Sequence, residues 1–559
     1  MRSKRQYCAC VITVVATIVT TIMLTVIQIK GPTQQAGDVP EEQFSVARAL
    51  EHLEQIATEP RSFRSLANQE VRRYIIKQLE ANGIEVEIHK KLTTEIEQSI
   101  YPTSGINGEV TNIIGKIPGE SESNLIFTSH HDSVRSSPGA ADAGYGVVSL
   151  LEAARAFQSL NRQPKHNLYF IFTDAEELGL LGASALAEDY SELLANTKVI
   201  VNLEARGNTG AATLFETNEG NYSIIKAAQQ ALSYPNAYAY IYDLYQMMNN
   251  DTDFSVYKEY GNQGLNFANF AGIETYHQPS DNVENADQTT ILHHGLNTLE
   301  LIEHFAFADD SALEQIATSE MNAIYFTIGL NQLVVYSENL VPILFLICLI
   351  LTVLVLILAL RKNKLTVKQA AIAPFILLCS FVALFVLTYL ILLGFSHAFG
   401  FAIYDIVFAF DVKNKGLMLI TFGLIAILYW IIILSWLTKK LNIYAIITSF
   451  LVILTFLAGI TSRYLPGLSY IFLWPSVLTA IGMLPMIVNI KLKLYQYFWL
   501  VIAIAPIILV VGPVLNTVYT AMTIGTAPIL VFFFSLALLS VLLASLLAKH
   551  ELYHNIEHS

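Results

Sequence analysis

The sequence predicts an α/β sandwich around a mostly parallel mixed sheet, joined to an α-helical multi-span membrane domain, with eight transmembrane helices in total. Three observations predict it. The 559 residues are 53% hydrophobic and only 14% charged, which excludes an ordinary soluble protein. Residues 30–338 hold 18 basic and 42 acidic side chains, a charge of −24, whereas the rest of the chain carries +11. Within the acidic block short apolar runs alternate with helical repeats, and beyond it come long uncharged apolar stretches.

The first element, residues 1–30, reads as a cytoplasmic tip and a signal-anchor helix. Val11 to Ile29 is a 19-residue uncharged run behind Arg2, Lys4 and Arg5, long enough to cross a bilayer at 1.5 Å per residue. A cleavable signal peptide is the alternative, but the run is long and no small-x-small site follows it.

Residues 38–320 read as the folded domain. Phe44, Ala47, Leu50, Leu53 and Ile56 recur at helical spacing, and a second helix runs from Ala67 to Asn82 with Gly83 placed to end it. Strands are expected at Asn112–Ile117, Leu125–Thr128, Leu168–Phe172 and Val199–Leu203, and a further run is Gly264–Phe270. Helical segments separate several of them, the signature of a sheet whose ligands gather at the strand carboxyl ends.

Residues 321–340 read as a linker at the membrane and 341–548 as a seven-helix transmembrane domain, followed by a cytoplasmic tail at 549–559. The seven runs lie near 341–360, 370–395, 417–437, 443–460, 468–490, 497–515 and 526–548, and none holds Asp, Glu, Lys, Arg or His. Positive charge sits in alternate gaps: Arg361, Lys362 and Lys364, then Lys439 and Lys440, then Lys491 and Lys493, then Lys549. With the N-terminus inside, eight spans put all of these on the cytoplasmic side, against only Lys413, Lys415 and Arg463 on the other. The acidic block therefore faces outward. Spans without ionisable groups argue against a pump, a proton-coupled transporter or an intramembrane protease. The absence of a basic stripe argues against nucleic acid as a partner.

Candidate chemistry lies at the strand ends. Ser129-His130-His131-Asp132 follows the second expected strand, Asp174-Ala175-Glu176-Glu177 the third and Glu204 the fourth. The last run leads to Tyr276-His277, and Asp142 occupies a Gly-rich turn, expected to be flexible, before a helix at Tyr145–Phe157. All four cysteines, Cys8, Cys10, Cys348 and Cys379, lie in or beside apolar runs, so a metal in this block must be held by oxygen and nitrogen. His130, Asp142, Glu177, Glu204 and His277 suffice for two neighbouring divalent ions sharing one carboxylate. Asp132 can hold the second nitrogen of His130, and Glu176 can stay unligated as a general base. A lone histidine is more often structural than a ligand, and His131, His293, His294 and His304 are read that way. The case rests on five candidates recurring on one rim.

These residues resemble the M28 family of zinc aminopeptidases. "HHDSVRSSPGAADAGYGVVSLLEAARAF" is similar to the family's first metal segment, "FIFTDAEELGLLGASAL" to its Glu-Glu segment, "VNLEARG" to its third ligand segment and "YHQPSDNVENAD" to its final histidine segment. The resemblance covers about residues 45–306, with all four motifs in order. It implies an extracytoplasmic zinc-exopeptidase sandwich holding two Zn2+ ions, one on His130 and Glu204, the other on Glu177 and His277, with Asp142 bridging. It also implies Glu176 as general base, Asp132 as the residue orienting His130, and Tyr276 as a hydrogen-bond donor to the tetrahedral oxyanion. Asp253 lies in another family-like segment without an assigned role. Glu204, where many soluble members carry Asp, and the multi-span tail are similar to the membrane-bound endoplasmic-reticulum and vacuolar branch.

The expected function is therefore a membrane-anchored di-zinc aminopeptidase that hydrolyses peptides outside the cytosol. The alternatives are a carboxypeptidase or glutaminyl cyclase of the same fold, a transporter with an external sensing domain, or a non-catalytic scaffold, which the complete ligand set argues against. The expected partners are a peptide substrate and the lipid bilayer. Because the membrane-bound relatives are generally longer, the expected location is a bacterial plasma membrane with the domain outside. An endoplasmic-reticulum or vacuolar membrane with a lumenal domain is the alternative, left open by sequons at Asn221 and Asn250.

Overall fold

The computed structural model of the chain describes residues 2–33, 39–103, 105–247, 250–401, 414–488 and 495–557. Lys413, Lys491 and Lys493, used above to orient the spans, lie outside these residues, as do residue 38 and the last two residues of the tail. The described chain forms two compact units. One comprises residues 1–28, 328–330 and 339–559; the other comprises 29–327 and 331–338.

The second unit is the α/β sandwich. Helices α2 (Val46–Ile56) and α3 (Leu66–Ala81) precede strands β1 (Glu85–Leu92), β2 (Glu109–Ile117) and β3 (Asn124–His130). Then follow α4 (Gly144–Ser159), β4 (Asn167–Thr173), α5 (Leu181–Asp189), α6 (Ser191–Ala195), β5 (Thr197–Ala205) and β6 (Thr213–Thr217). Helices α7 (Tyr222–Ala231), α8 (Ala239–Tyr245) and α9 (Asp253–Glu259) lead to β7 (Gly264–Asn269), α10 (Gln288–Ala306) and α11 (Asp310–Ala317). The seven-stranded sheet has the order β1-β2-β4-β3-β5-β7-β6. Strands β4, β3, β5 and β7 are parallel, and β1, β2 and β6 pair antiparallel at the two edges.

The central strands read as continuous apolar runs because both faces are covered. Every residue of β3 is buried, and Phe127 stacks on Phe170 of β4 with ring centroids 5.9 Å apart. Phe127→Ala would cost about 3–5 kcal/mol through lost burial and the cavity left behind. Helix α4 lies directly on the sheet. A Cβ at Gly146 would strike Ser129 and come within 3.0 Å of Leu203 Cβ, so only glycine lets the helix start this close to β3 and β5. That contact places the turn before α4 at the ends of those strands. Fully buried Glu152 of α4 binds Arg48 of α2 at 2.8 Å and Arg155 at 2.7 Å, tying the first helix to the sandwich.

Two expectations need correction here. The segment 321–340 is not a linker throughout. It contains β8 (Ala323–Ile328) and β9 (Gln332–Ser337), a hairpin closed by Gly329, Leu330 and Asn331 with positive φ at Gly329 and Asn331. Asn221 is also a poor acceptor for a glycan. It is buried, donates to Thr217 Oγ1 at 2.8 Å and accepts the Ala323 N–H at 2.8 Å, and only Asn250 of the two sequons is half-open.

The first unit is helical: α1 (Arg2–Lys30), α12 (Val341–Arg361), α13 (Val367–Phe399), α14 (Lys415–Lys440), α15 (Ile443–Tyr464), α16 (Tyr470–Ile487), α17 (Tyr495–Met522) and α18 (Ala527–Glu557). Among the described residues seven helical segments are long and apolar enough to cross a membrane, not eight, because the last runs unbroken from Phe498 to His550. Those 53 residues join α17 to α18 through a short 3₁₀ turn at Thr523–Thr526. At 1.5 Å per residue they span more than twice a hydrocarbon core of about 30 Å. Helix α1 buries Thr17, Thr21, Thr25 and Gln28 while exposing Ile12, Val15 and Met23. Thr25 fills the space over Gly512 of α17. Small side chains at four-residue spacing are a membrane-helix packing surface, and α1 turns this one toward α17. Thr352 and Thr455 share a 2.8 Å hydrogen bond between α12 and α15.

Candidate metal centre

The carboxyl ends of β4, β3, β5 and β7 share one rim, and five sequence-selected residues meet there. Asp142 lies at the centre. Its Oδ1 is 3.3 Å from His130 Nε2 and its Oδ2 is 3.2 Å from His277 Nε2. Glu204 Oε2 approaches the same nitrogen of His130 at 3.5 Å, and Glu177 Oε2 approaches that of His277 at 3.2 Å. The donors thus form two groups, His130–Asp142–Glu204 and Asp142–Glu177–His277, each close enough to hold one ion and both containing Asp142. A third possible group, His130–Glu176–Glu177, includes the proposed base.

Metal ions fit these residues on the chemistry of the donors. His130 Nε2, His277 Nε2 and Glu177 Oε1 are buried and make no hydrogen bond among the described residues, an arrangement that costs free energy unless a cation takes the lone pairs. Asp132, Asp142, Glu176, Glu177 and Glu204 crowd two imidazoles, and so many carboxylates need compensating positive charge.

Protonation follows this crowding. Burial, reinforced by Glu204 and Glu177 and opposed by His130, pushes Glu176 well above the ordinary carboxylate range. Burial and the Asp142 charge carry Glu177 to about 7. Burial works against an imidazolium at His277, but the carboxylates of Asp142 and Glu177 outweigh it and lift the group to about 10. Asp142 is also buried, yet the two imidazoles that face its carboxylate keep it below the ordinary carboxylate range.

The backbone around the donors is strained and held. Ala175 takes a left-handed conformation at φ 58, and Gly179 and Leu180 do so within the next five residues, so the chain doubles back after β4 and turns Glu176 and Glu177 to the rim. His277 is left-handed too, at φ 59. Asp132 holds the Glu176-Glu177 turn directly: its two carboxylate oxygens accept the N–H of Glu176 at 3.1 Å and of Glu177 at 3.3 Å. The expected contact to His130 is secondary, because Nδ1 lies 3.1 Å from the Asp132 carbonyl and 3.5 Å from its carboxylate. Tyr276 is half-buried, its ring stacked on His277 with centroids 3.8 Å apart. Burial and the neighbouring carboxylates keep its hydroxyl protonated.

The turn bearing Asp142 is not free. Asp281 accepts the N–H of Ala141 at 2.7 Å and of Asp142 at 3.2 Å through its carboxylate, and the N–H of Ala140 at 3.2 Å through its carbonyl. Fully buried Arg61 donates to the carbonyls of His131 at 2.8 Å and Gly139 at 2.7 Å, and to that of Pro138. Sequence reasoning missed both residues. Asp281 follows His277 by only four positions, whereas Arg61 lies outside every motif.

Asp253, left without a role, is buried at the start of α9 and accepts the Thr173 hydroxyl, and burial pushes it to about 7. Asp174 is buried between Asn68, Arg72 and the Thr111 N–H. The four histidines read as structural in the sequence make contacts of that kind. His131 is sealed against the Thr173 carbonyl, His293 lies between Tyr234 and Ala212, His294 binds Asn269, and His304 packs on Phe305.

Residues 112–302 match the model of peptidase family M28. A vacuolar membrane protease of Lodderomyces elongisporus is 29% identical over 270 residues, 45% of this chain and 27% of that protein. One of Candida tropicalis is 28% identical over 301 residues, 52% of this chain and 32% of that protein. The match thus spans about a third of the length of these curated relatives. Among solved structures, an aminopeptidase from Aneurinibacillus sp. strain AM-1 is 14% identical, covering 48% of this chain and 96% of that one at a TM-score of 0.39. A glutaminyl cyclase of Porphyromonas gingivalis is 19% identical, covering 46% of this chain and 98% of that one at a TM-score of 0.38.

Proposed function

We propose that this chain, which carries a peptidase family M28 domain and apolar helices able to span a membrane, is a membrane-anchored di-zinc aminopeptidase. The observation that carries the reading is the position of Asp142, one oxygen turned to each histidine. His130 and Glu204 would hold one zinc, Glu177 and His277 the other, and Asp142 would bridge them. Zinc bound there would supply Lewis acidity for a scissile carbonyl and a more acidic water.

The chain's own residues do the rest. Glu176, 3.9 Å from His130 Nε2, takes a proton from the attacking water and returns it to the leaving amine. Its burial favours holding that proton in the interval. Asp132 fixes where Glu176 and Glu177 point by holding their amides. The Tyr276 hydroxyl, stacked beside His277, donates to the oxyanion.

The boundaries proposed for this division of labour are an anchor at 1–30, a peptidase domain at 38–320, a membrane domain at 341–548 and a tail at 549–559. The domain works outside the cytosol. The relatives' printed names, vacuolar membrane proteases, support the vacuolar alternative over a bacterial plasma membrane, for which the comparisons offer no support.

The end of the peptide attacked is tested with paired substrates blocked at the N- or the C-terminus and read by mass spectrometry. Release of residues only from peptides with a free N-terminus is expected. Release only from a free C-terminus would make the enzyme a carboxypeptidase, and cyclisation of N-terminal glutamine with a single bound zinc would make it a cyclase.

A further inference from the structure

We infer that the cleft beside Glu177 is a subsite for a substrate carboxylate, held by Arg64 and Arg135. The inference rests on the peptidase reading and specifies its substrate: short peptides with an anionic group just beyond the scissile bond.

The cleft, about 660 Å³, adjoins the centre, since Asp132 and Glu177 form part of its lining. Its walls include Ser62, Asn107 and the two arginines. These guanidinium groups stand out in a block that carries −24. Most other cations of the unit are spent internally: Arg48 and Arg155 on Glu152, Arg72 on Asp174, Lys91 on Glu188, and Arg61 on backbone carbonyls. Arg135 has no ion pair or hydrogen bond among the described residues, and it is exposed.

Both arginines are positioned by the backbone. Arg135 sits three residues beyond Asp132, in a loop tied to the other half of the centre where Ser136 Oγ donates to the His277 carbonyl at 2.9 Å. Arg64 adopts a left-handed conformation at φ 66, unusual for a side chain of this size. Its stem crosses Gly108, where a Cβ would come within 2.6 Å of Arg64 Cδ, and its Nη1 donates to the Asn107 carbonyl at 2.5 Å. One exposed guanidinium is thus fixed against the wall and a second is free to close on a ligand. A carboxylate offers two acceptors that such donors match. On the aminopeptidase reading we assign that carboxylate to the residues that leave on cleavage. It comes from the C-terminus of a short peptide or from an acidic side chain there.

The test uses the full-length zinc-loaded protein and three peptides: Leu-Ala-Ala, its C-terminal amide, and Leu-Glu-Ala amide. We expect the first or third to be hydrolysed with a kcat/KM about tenfold above the amide, mostly through KM. Preference for the first identifies the terminal carboxylate, and preference for the third identifies the side chain. In Arg135→Gln, and more fully in Arg64→Gln/Arg135→Gln, the ratio should fall to within twofold of one. Equal hydrolysis of all three by wild type, or a preference that survives both substitutions, overturns the subsite while leaving the peptidase reading intact. No hydrolysis of any peptide overturns both.

Discussion

Asp281 grips Asp142 by its backbone: the Asp281 carboxylate accepts the Asp142 N–H at 3.2 Å and the neighbouring Ala141 N–H at 2.7 Å. The carboxylate that faces both histidines is therefore aimed by a second carboxylate that touches neither. Asp281→Asn turns one acceptor into a donor facing an N–H. We expect zinc affinity to fall about 10–100-fold, the usual cost of losing a group that orients a ligand. Competition against a chelator of known affinity measures it, and wild-type affinity would mean that Arg61 alone holds the turn.

The shared position of Asp142 sets an order among ligand deletions. His277→Ala removes a donor from one group only, so the protein should retain about one zinc per chain. Asp142→Ala removes a donor from both groups and should leave less than one. Metal analysis of the purified full-length protein decides between them, and equal loss in the two variants would contradict a bridging carboxylate.

These donors were legible because β3, β4, β5 and β7 carry buried apolar runs whose ends are abrupt, and the donors lie at or beyond such an end or in the Gly-rich turn between β3 and β4. The supporting residues were not. Arg61 acts on carbonyls 70 to 78 positions away, and nothing local marks it. The edge strand β1 exposes most of its side chains, so no apolar run announces it. In β8 and β9 the strands are six residues each, short enough beside a membrane span to pass for a linker. Asp132 was legible as a neighbour of His130, but its stronger role, holding two amides 44 and 45 positions away, exists only in the folded chain.

Glu176 separates metal binding from proton transfer. Its backbone N–H anchors the turn through Asp132, and Glu176→Gln preserves that bond. The variant should keep wild-type zinc content and lose about 10²–10⁴-fold in kcat with little change in KM, the range expected for removing a general base. Steady-state kinetics on a peptide, with metal analysis of the same sample, reads both. Retention of more than a tenth of the wild-type rate would place the base elsewhere.

Acid should loosen the domain through α10. His293 is buried, its Nε2–H donating to the Tyr234 carbonyl at 2.7 Å while its Nδ1 accepts the Ala212 N–H at 3.1 Å. A proton on Nδ1 would set donor against donor, and burial holds the group at about 4. Burial and the neighbouring His293 hold His294 lower, at about 3. In the unfolded chain each titrates near 6.5, so below that pH the unfolded state binds more protons and stability falls as pH drops toward the folded values. The slope is about 1.4 kcal/mol per pH unit for each imidazole once well below 6.5. Buried acids such as Asp253, whose folded value lies near 7, act in the opposite direction because the folded state takes up their protons first. The informative quantity is therefore a difference. Between pH 6.5 and 4.5 the melting temperature of chelator-treated wild type should fall relative to that of His293→Gln, whose amide can donate to Tyr234 and accept from Ala212 without titrating. Parallel melting curves across that interval would show that protonation of His293 costs the fold nothing.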